Sequence, residues 1–240
     1  MLLLVGLGLA PPQSLTLEAW EALQAADAIY LETYTNIGIS VDDFAAFLKK
    51  RVAPAPRTTV ESEELLTLAK TQTVALCCIG DVFTATTHSV LYLDCLQQDI
   101  LVKMFQNNGV MTAAALTGLE LYKFGQTITI PYPGASYDPR SYLAKIESNR
   151  AAGLHTLCLL DIKADEERFM TIPEAIALLE EHLTLALVIG CAKLGTDNHI
   201  TAGSTEALGQ HSWPSQPHCL IIPGQLNAVE QEFVEHWQLH

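Results

Sequence analysis

The sequence predicts an α/β protein, and three observations carry that expectation. Short apolar runs, several ending in Gly or Gly-Asp, alternate with amphipathic segments along the chain. The run "TVALCCIGD" (Thr73–Asp81) is apolar on both faces, the mark of a central parallel strand covered by helices on each side. Hydrophobic residues make up 49% of the chain against 17% charged, with a mean hydropathy of +0.22, which supports a large core and argues against disorder. A length of 240 residues fits one large domain or two smaller ones.

Leu2–Val5 reads as a short buried strand and Gly6–Ser14 as a loop. Thr16 is placed to cap a helix that runs to about Ala26. Glu18 falls in its first turn, where negative charge is favoured, and Leu15, Ala19, Leu23 and Ala26 fall at helical spacing. Ala28–Glu32 is a second strand. "VDDFAAFLKK" is a short helix with Asp at its start and Lys at its end, Pro54–Pro56 break the chain, and "ESEELLTLAK" is another helix. After the central strand, "TATTHSVLYLDCLQQD" opens with cap residues and continues as a helix whose apolar face is Val90, Leu93, Leu96 and Ile100. "ILVKMFQ" is a strand. Asn107–Gly109 is a turn and a candidate boundary, so the expected domains are 1–107 and 108–240. Beyond it come a helix at about Met111–Leu121, a strand at "QTITIPY" and a helix at about Pro139–Ala152. A strand at "HTLCLLDIK" and a helix at "TIPEAIALLEEHL", with Pro near its start, follow. Strands at "TLALVIGCAK" and "CLIIPG" precede a terminal helix at "LNAVEQEFVEHW".

Composition removes several function classes. A net charge of −14 repels phosphate backbones. The densest basic stretch, Lys49-Lys50-Arg51, sits at a predicted helix end, where cations answer the dipole. Nucleic acid is therefore not an expected partner. No apolar run nears the roughly 18–20 residues of a bilayer span. The first residues lack Lys and Arg and are interrupted by Gly6, Gly8, Pro11 and Pro12, which argues against a secretory signal. The six cysteines form no C-x-x-C pair and lie mostly in apolar runs, so no metal site or disulfide framework is expected, and a reducing compartment is.

Gly6 and Gly8 follow a strand, and Glu32 ends the next one, as in a dinucleotide-binding unit. The third glycine of G-x-G-x-x-G would fall at Pro11, however, and the helix starts several residues later, so that fingerprint fails. The two glycines then serve either close approach to a ligand or only a tight turn. Asp81, at the end of the central strand, is placed either to meet a ligand or to cap the following helix. His88 is a ligand, a base or a structural helix histidine. Asp161 is a second carboxylate at a strand end, and His218 starts the last strand. The residues alone give an α/β protein with a ligand crevice lined by glycine loops and Asp81.

The stretches "LLLVGLGLAPPQSLTLEAWEALQAADAIYLETYT", "GDVFTATTH", "LTGLELYKFGQTITIPYP", "GLHTLCLLDIKADEERFMTIPEAI" and "HCLIIPG" together resemble the diphthine synthases, the methyltransferases of the diphthamide pathway, from Met1 to about Val229. The resemblance implies two α/β domains of tetrapyrrole-methylase-like type with the cofactor cleft between them, and a homodimer, while the cysteine usage suits the reducing cytoplasm. It implies S-adenosyl-L-methionine as cofactor and S-adenosyl-L-homocysteine as product. The implied reaction is successive methylation of the amino group of a modified histidine, the diphthamide precursor, on translation elongation factor 2. Residue by residue, it implies Leu9, Asp81, Thr84, Gly109, Val110, Leu160, Leu194 and His218 as the cofactor-binding set. It names no catalytic general base. Two departures stand out: Val82 replaces the proline of the family's Gly-Asp-Pro, and "FQNNG" replaces an "HNASI"-like stretch, so Gly109 offers no hydroxyl. The chain also ends soon after "HCLIIPG", so any contact from a longer family tail is expected to be missing. A small-molecule, tetrapyrrole-type methylase and a catalytically silent S-adenosylmethionine-binding regulatory protein are the alternatives.

Overall fold

The structure, a computed structural model, describes residues 1–84, 88–134 and 140–239. The Thr-rich turn at Ala85–Thr87 and Pro139, the expected start of a helix, lie outside them. Two compact units make up the chain, Met1–Val110 and Met111–His240.

The N-terminal unit alternates strands and helices: β1 (Leu2–Gly6), α1 (Leu17–Ala25), β2 (Ala28–Glu32), α2 (Val41–Leu48), β3 (Ala53–Ala55), α3 (Arg57–Val60), α4 (Glu64–Ala69), β4 (Val74–Cys78), α5 (His88–Gln97) and β5 (Val102–Phe105). The five strands form one parallel sheet in the order β3-β2-β4-β1-β5. β4 is its middle strand, as its two apolar faces require. Cys77 packs on one side with Leu3, Val5, Leu23 and Phe44, while Cys78 packs on the other with Leu4, Leu91 and Cys95. Thr16 caps α1 by accepting the Ala19 N–H at 3.2 Å. Lys50 donates to the carbonyls of Leu23, Gln24 and Ala26 at 3.2, 2.7 and 2.7 Å. The basic stretch thus answers the C-terminus of α1, not that of the helix it follows.

Two expectations are corrected here. Pro54 does not break the chain. It sits within β3, which forms the sheet edge, where a residue without an N–H leaves no ladder bond unmade. Of the expected apolar face, Val90, Leu93 and Leu96 are turned outward, all at least half exposed, while Ile100, beyond the end of α5, is buried as expected. The face against the sheet is His88, Leu91 and Cys95. Both stripes have helical spacing, so periodicity does not choose between them. The bond from His88 Nδ1 to the Val82 carbonyl, at 3.2 Å, goes with the second.

Around the C-terminal unit run α6 (Val110–Ala113), β6 (Ile128–Ile130), α7 (Ser141–Ala151), β7 (Thr156–Leu160), β8 (Ile162–Lys163), β9 (Arg168–Phe169), α8 (Ile172–Glu180), β10 (Val188–Ala192), β11 (His199–Gly203), α9 (Thr205–Gln210), β12 (His218–Ile222) and α10 (Ala228–His236). α6 passes into a 3-10 turn over Ala114–Thr117 and stops at Gly118, φ +87°, short of the expected Leu121. A side chain at Gly118 would occupy the ring of Phe233. The sheet order is β11-β10-β12-β7-β6, and only β6–β7 is parallel. β11 was not read from the sequence. It returns antiparallel from β10 through a turn in which the Gly195 N–H donates to Asn198 at 2.7 Å, so "GTDN" was the missed turn signal. The outer edge of β11 is covered by Trp237–Leu239, which exchange backbone bonds with Ala202. A capping box of Thr171 and Glu174 starts α8, with Pro173 in its first turn.

At the edge where β7 starts and β12 ends, Glu230 of α10 is fully buried. Its carboxylate accepts the Glu120 N–H (3.1 Å), the Asn227 N–H (2.9 Å), His155 Nε2–H (3.0 Å) and the Lys123 ammonium. The Gly224 N–H donates to His155 Nδ1 at 2.9 Å, which assigns the proton to Nε2. Burial pushes the Glu230 carboxyl up, but Lys123 and the other donors outweigh it and hold the carboxyl at about 2. Burial holds the His155 imidazole below its usual range, so it is neutral. Among the described residues no helix is long and apolar enough to cross a membrane.

Candidate functional site

In the N-terminal sheet, β1 and β4 are neighbours whose connections leave in opposite directions: α1 leads away past β4 to β2, and α5 leads past β1 to β5. Such a switch point leaves a crevice at the carboxyl ends of the strands, where open α/β sheets hold ligands. Three loops meet there. Gly8 and Gly80 form a two-residue bridge, Gly8 N–H to Gly80 O at 3.0 Å and Gly80 N–H to Gly8 O at 2.8 Å. Both have φ near +75°, a conformation costly to residues with a Cβ.

The protein's own atoms take the room that the first two glycines leave. A Cβ on Gly6 would lie 2.7 Å from Gly80 O, and one on Gly8 would lie 2.6 Å from Ser14 Oγ. The glycines therefore let loop approach loop. Around Gly80 a Cβ would meet nothing closer than 3.7 Å, with Leu9 Cδ2 at 3.9 Å. Leu9 is half-buried beside it.

Asp81 joins the loops. Oδ1 accepts the Phe83 N–H at 3.0 Å and the Thr84 hydroxyl at 3.2 Å, and Oδ2 accepts the Asn107 N–H at 3.1 Å. The carboxylate thus spans from the end of β4 to the end of β5. Thr84 and Gly109 also meet: a Cβ on Gly109 would lie 3.0 Å from Thr84 Cγ2. Val110 follows, half-buried. The structure thus brings Leu9, Asp81, Thr84, Gly109 and Val110 to one edge of this unit. Glu32, the residue a dinucleotide reading needs, is instead buried and closes its own turn onto Thr35, at 2.7 Å to its N–H and 2.6 Å to its hydroxyl. His88 is buried between the Val82 carbonyl and the Tyr34 hydroxyl (3.4 Å), and burial lowers its basicity.

In the C-terminal unit, three further candidates share one sheet edge. β7 ends at Leu160, β10 ends at Ala192 two residues before Leu194, and β12 starts at His218 opposite Ala192. Leu160 and Leu194 are buried. His218 Nε2–H donates to the Pro214 carbonyl at 2.8 Å, which leaves Nδ1 as a bare acceptor. Among the described residues that atom is buried without a hydrogen-bond partner. Burial lowers the basicity of His218, so the acceptor stays unprotonated near neutrality. His218 also borders a cavity of about 340 Å³ with Thr171, His211, Trp213 and Ser215. Asp161, next to Leu160, accepts the Tyr132 N–H at 3.0 Å.

Sequence reasoning missed Asn107 and Ser14 as partners of the glycine loop, since nothing in their spacing marks a loop clasp. It also missed the pairing of His199 and His211. Their Nε2 atoms are 2.9 Å apart and their ring centres 5.2 Å apart, which sets both nitrogens on the line between the rings. One proton fits there and a metal ion does not. The six thiols are buried, and burial raises those of Cys77, Cys78 and Cys158 far from nucleophilic use.

Three comparisons bear on this arrangement. Residues 1–209 match the family model of the tetrapyrrole (corrin/porphyrin) methylases. A diphthine synthase of Methanocorpusculum labreanum is 32% identical over 99% of this chain and 98% of its own. A diphthine methyl ester synthase of Dictyostelium discoideum is 32% identical over 100% and 98%. A crystal structure described as a candidate diphthine synthase from Entamoeba histolytica superposes with a TM-score of 0.91 at 35% identity, over 100% of this chain and 99% of that one. These relatives are covered almost end to end, so against them no long tail is missing.

Proposed function

We propose, from the premise that the chain belongs to the tetrapyrrole methylase family and to its diphthine synthases, and is a methyltransferase, that its donor is S-adenosylmethionine and its acceptor the amino group of a modified histidine on translation elongation factor 2. The observation that supports the donor assignment is a buried acceptor in the C-terminal unit, His218 Nδ1, that no group among the described residues answers. An N–H group answers such an acceptor, and the donor carries two kinds, an adenine amine and an α-ammonium. Leu160 and Leu194, on the same sheet edge as His218, supply the apolar contact an adenosine needs.

When bound, the donor supplies an electrophilic sulfonium methyl whose transfer to a neutral amine releases a neutral thioether that needs no proton. The enzyme's own work is then alignment and water exclusion. Asp81 takes no proton in this reading. Its oxygens hold Thr84 and the Asn107 backbone, and so fix the loop beside Leu9. Gly109 contributes through backbone, and Val110 follows it at the same edge. No side chain acts as an indispensable general base. The reading carries with it a homodimer and a cytoplasmic setting, the latter compatible with cysteines that form no C-x-x-C pair and lie buried.

The test is methyl transfer from labelled S-adenosylmethionine to elongation factor 2 bearing the modified histidine, with mass spectrometry counting the methyl groups. Labelled factor 2 is expected, and the count separates a trimethylated amine from an added methyl ester. Donor binding without transfer would leave a silent binder, and transfer to a tetrapyrrole instead would move the chain to its small-molecule siblings.

A further inference from the structure

We propose that Asn107 is a positioning residue for the methyl donor: its side-chain amide clamps the glycine loop after β1 and thereby sets donor affinity. The inference rests on the reading above and adds a residue to it. Asn107 lies two residues past the end of β5 and reaches across the crevice edge. Its Nδ2 donates to Gly6 O at 3.1 Å and to Ser14 O at 2.9 Å, the first and last parts of the glycine loop. Its Oδ1 accepts the Asn108 N–H at 2.8 Å, and its own N–H is held by Asp81. The amide orientation follows from this set, because the flipped form would set an oxygen against two carbonyls.

All three loops of the switch point thus meet on one residue, the loop after β4 through the Asn107 backbone N–H and the other two through its side chain. Ser14 completes the clamp within the loop: its hydroxyl donates to Leu7 O at 2.6 Å and accepts the Ala10 N–H at 3.0 Å. The glycines are shaped to this clamp. A Cβ on Gly6 would lie 3.2 Å from Asn107 Cβ, and one on Gly8 would lie 3.0 Å from Asn107 Oδ1. Leu9 lies between Gly8 and Ala10, whose N–H is fixed by Ser14, so its backbone has little freedom while the clamp holds. Releasing the clamp lets the loop take many positions, and the ordering then has to come from ligand binding.

The experiment is calorimetry of S-adenosylhomocysteine with wild type, Asn107→Ala, Ser14→Ala and the double variant, each well below its melting temperature, together with kcat and donor KM on the protein substrate. The expected result is about a tenfold loss of affinity for Asn107→Ala, with donor KM rising in step and kcat at saturating donor nearly kept. Ser14→Ala should weaken binding less, and the double variant should be little worse than Asn107→Ala, since both release one loop. Should Asn107→Ala not fold, the affinity loss of Ser14→Ala decides alone. Wild-type affinity in folded Asn107→Ala and Ser14→Ala overturns the inference and leaves the proposed function standing. A fall in kcat at unchanged donor KM also overturns it. A wild type that binds no S-adenosylhomocysteine overturns both.

Discussion

The two edges of the C-terminal sheet treat buried polar atoms in opposite ways. Where β7 starts and β12 ends, the Glu230 carboxylate and the His155 ring use every position they have, on Lys123, Glu120, Asn227 and Gly224. Where β7 and β10 end and β12 starts, His218 leaves Nδ1 buried and unpaired. An unpaired buried acceptor costs about 1–3 kcal/mol, and a fully partnered carboxylate incurs no such cost. One sheet thus carries a closed network that ties α10 to the fold at one edge, and an unmet demand at the other. The unmet demand is the better mark of a ligand site, although the closed network holds more charge.

The largest break in this comparison should come from Glu230→Gln. It leaves the Lys123 ammonium without its counter-charge and the neutral His155 with a weaker acceptor, and losing one partner of a buried pair costs about 3–5 kcal/mol. Urea unfolding at neutral pH measures it, and a loss under about 1 kcal/mol would show that the network is not what ties α10 down. Acid should act on the same residues. A carboxyl lowered from 4.5 to about 2 on folding contributes about 3 kcal/mol, complete above its unfolded value and lost as pH falls toward 2. His155 is also lowered, so its contribution is present above about 6.5 and starts to fade below it as the unfolded chain takes up the proton. Stability should therefore fall from pH 6.5 downward, and the gap between wild type and Glu230→Gln should close between about pH 4.5 and 2. A gap that stays constant across that range sinks the assignment.

At the other edge, His218→Ala removes one hydrogen bond and one orphan acceptor, so stability should change by less than about 1 kcal/mol. S-adenosylhomocysteine affinity should drop by about tenfold. A variant that unfolds like Glu230→Gln, with unchanged affinity, would make the two edges alike. The smallest effect is expected for Gly109→Ser. The added Cβ needs Thr84 to yield by a few tenths of an ångström, for about 0.5 kcal/mol or less. Circular dichroism melting and donor KM together check that this loop accepts a side chain.

Much of the N-terminal unit was legible because each of its signals is local. Thr16 caps its own helix, β4 hides both faces, and strand–helix alternation sets a parallel order. The C-terminal unit was less legible. β11, the β8–β9 hairpin and the antiparallel pairing depend on which distant strand each run meets, and a short run such as "HITAG" does not encode that choice. The α5 stripe was misread for the same reason, since Val90 and Leu91 differ only in what lies opposite them.

By itself the sequence determined the α/β class, the positions of most strands and helices, the failure of the dinucleotide fingerprint and, through its resemblance, the family. Those follow from periodicity, capping and turn chemistry, which act within a few residues. Only the tertiary structure decided what the chemistry-bearing residues touch. Gly6 and Gly8 make room for Gly80, Ser14 and Asn107, and Asp81 spends its carboxylate across two loops. Glu230 is satisfied, and His218 is not. Hydrogen-bond satisfaction depends on neighbours up to about a hundred positions away in the chain, as for Asn107 and Gly6, and spacing along a sequence carries no record of them.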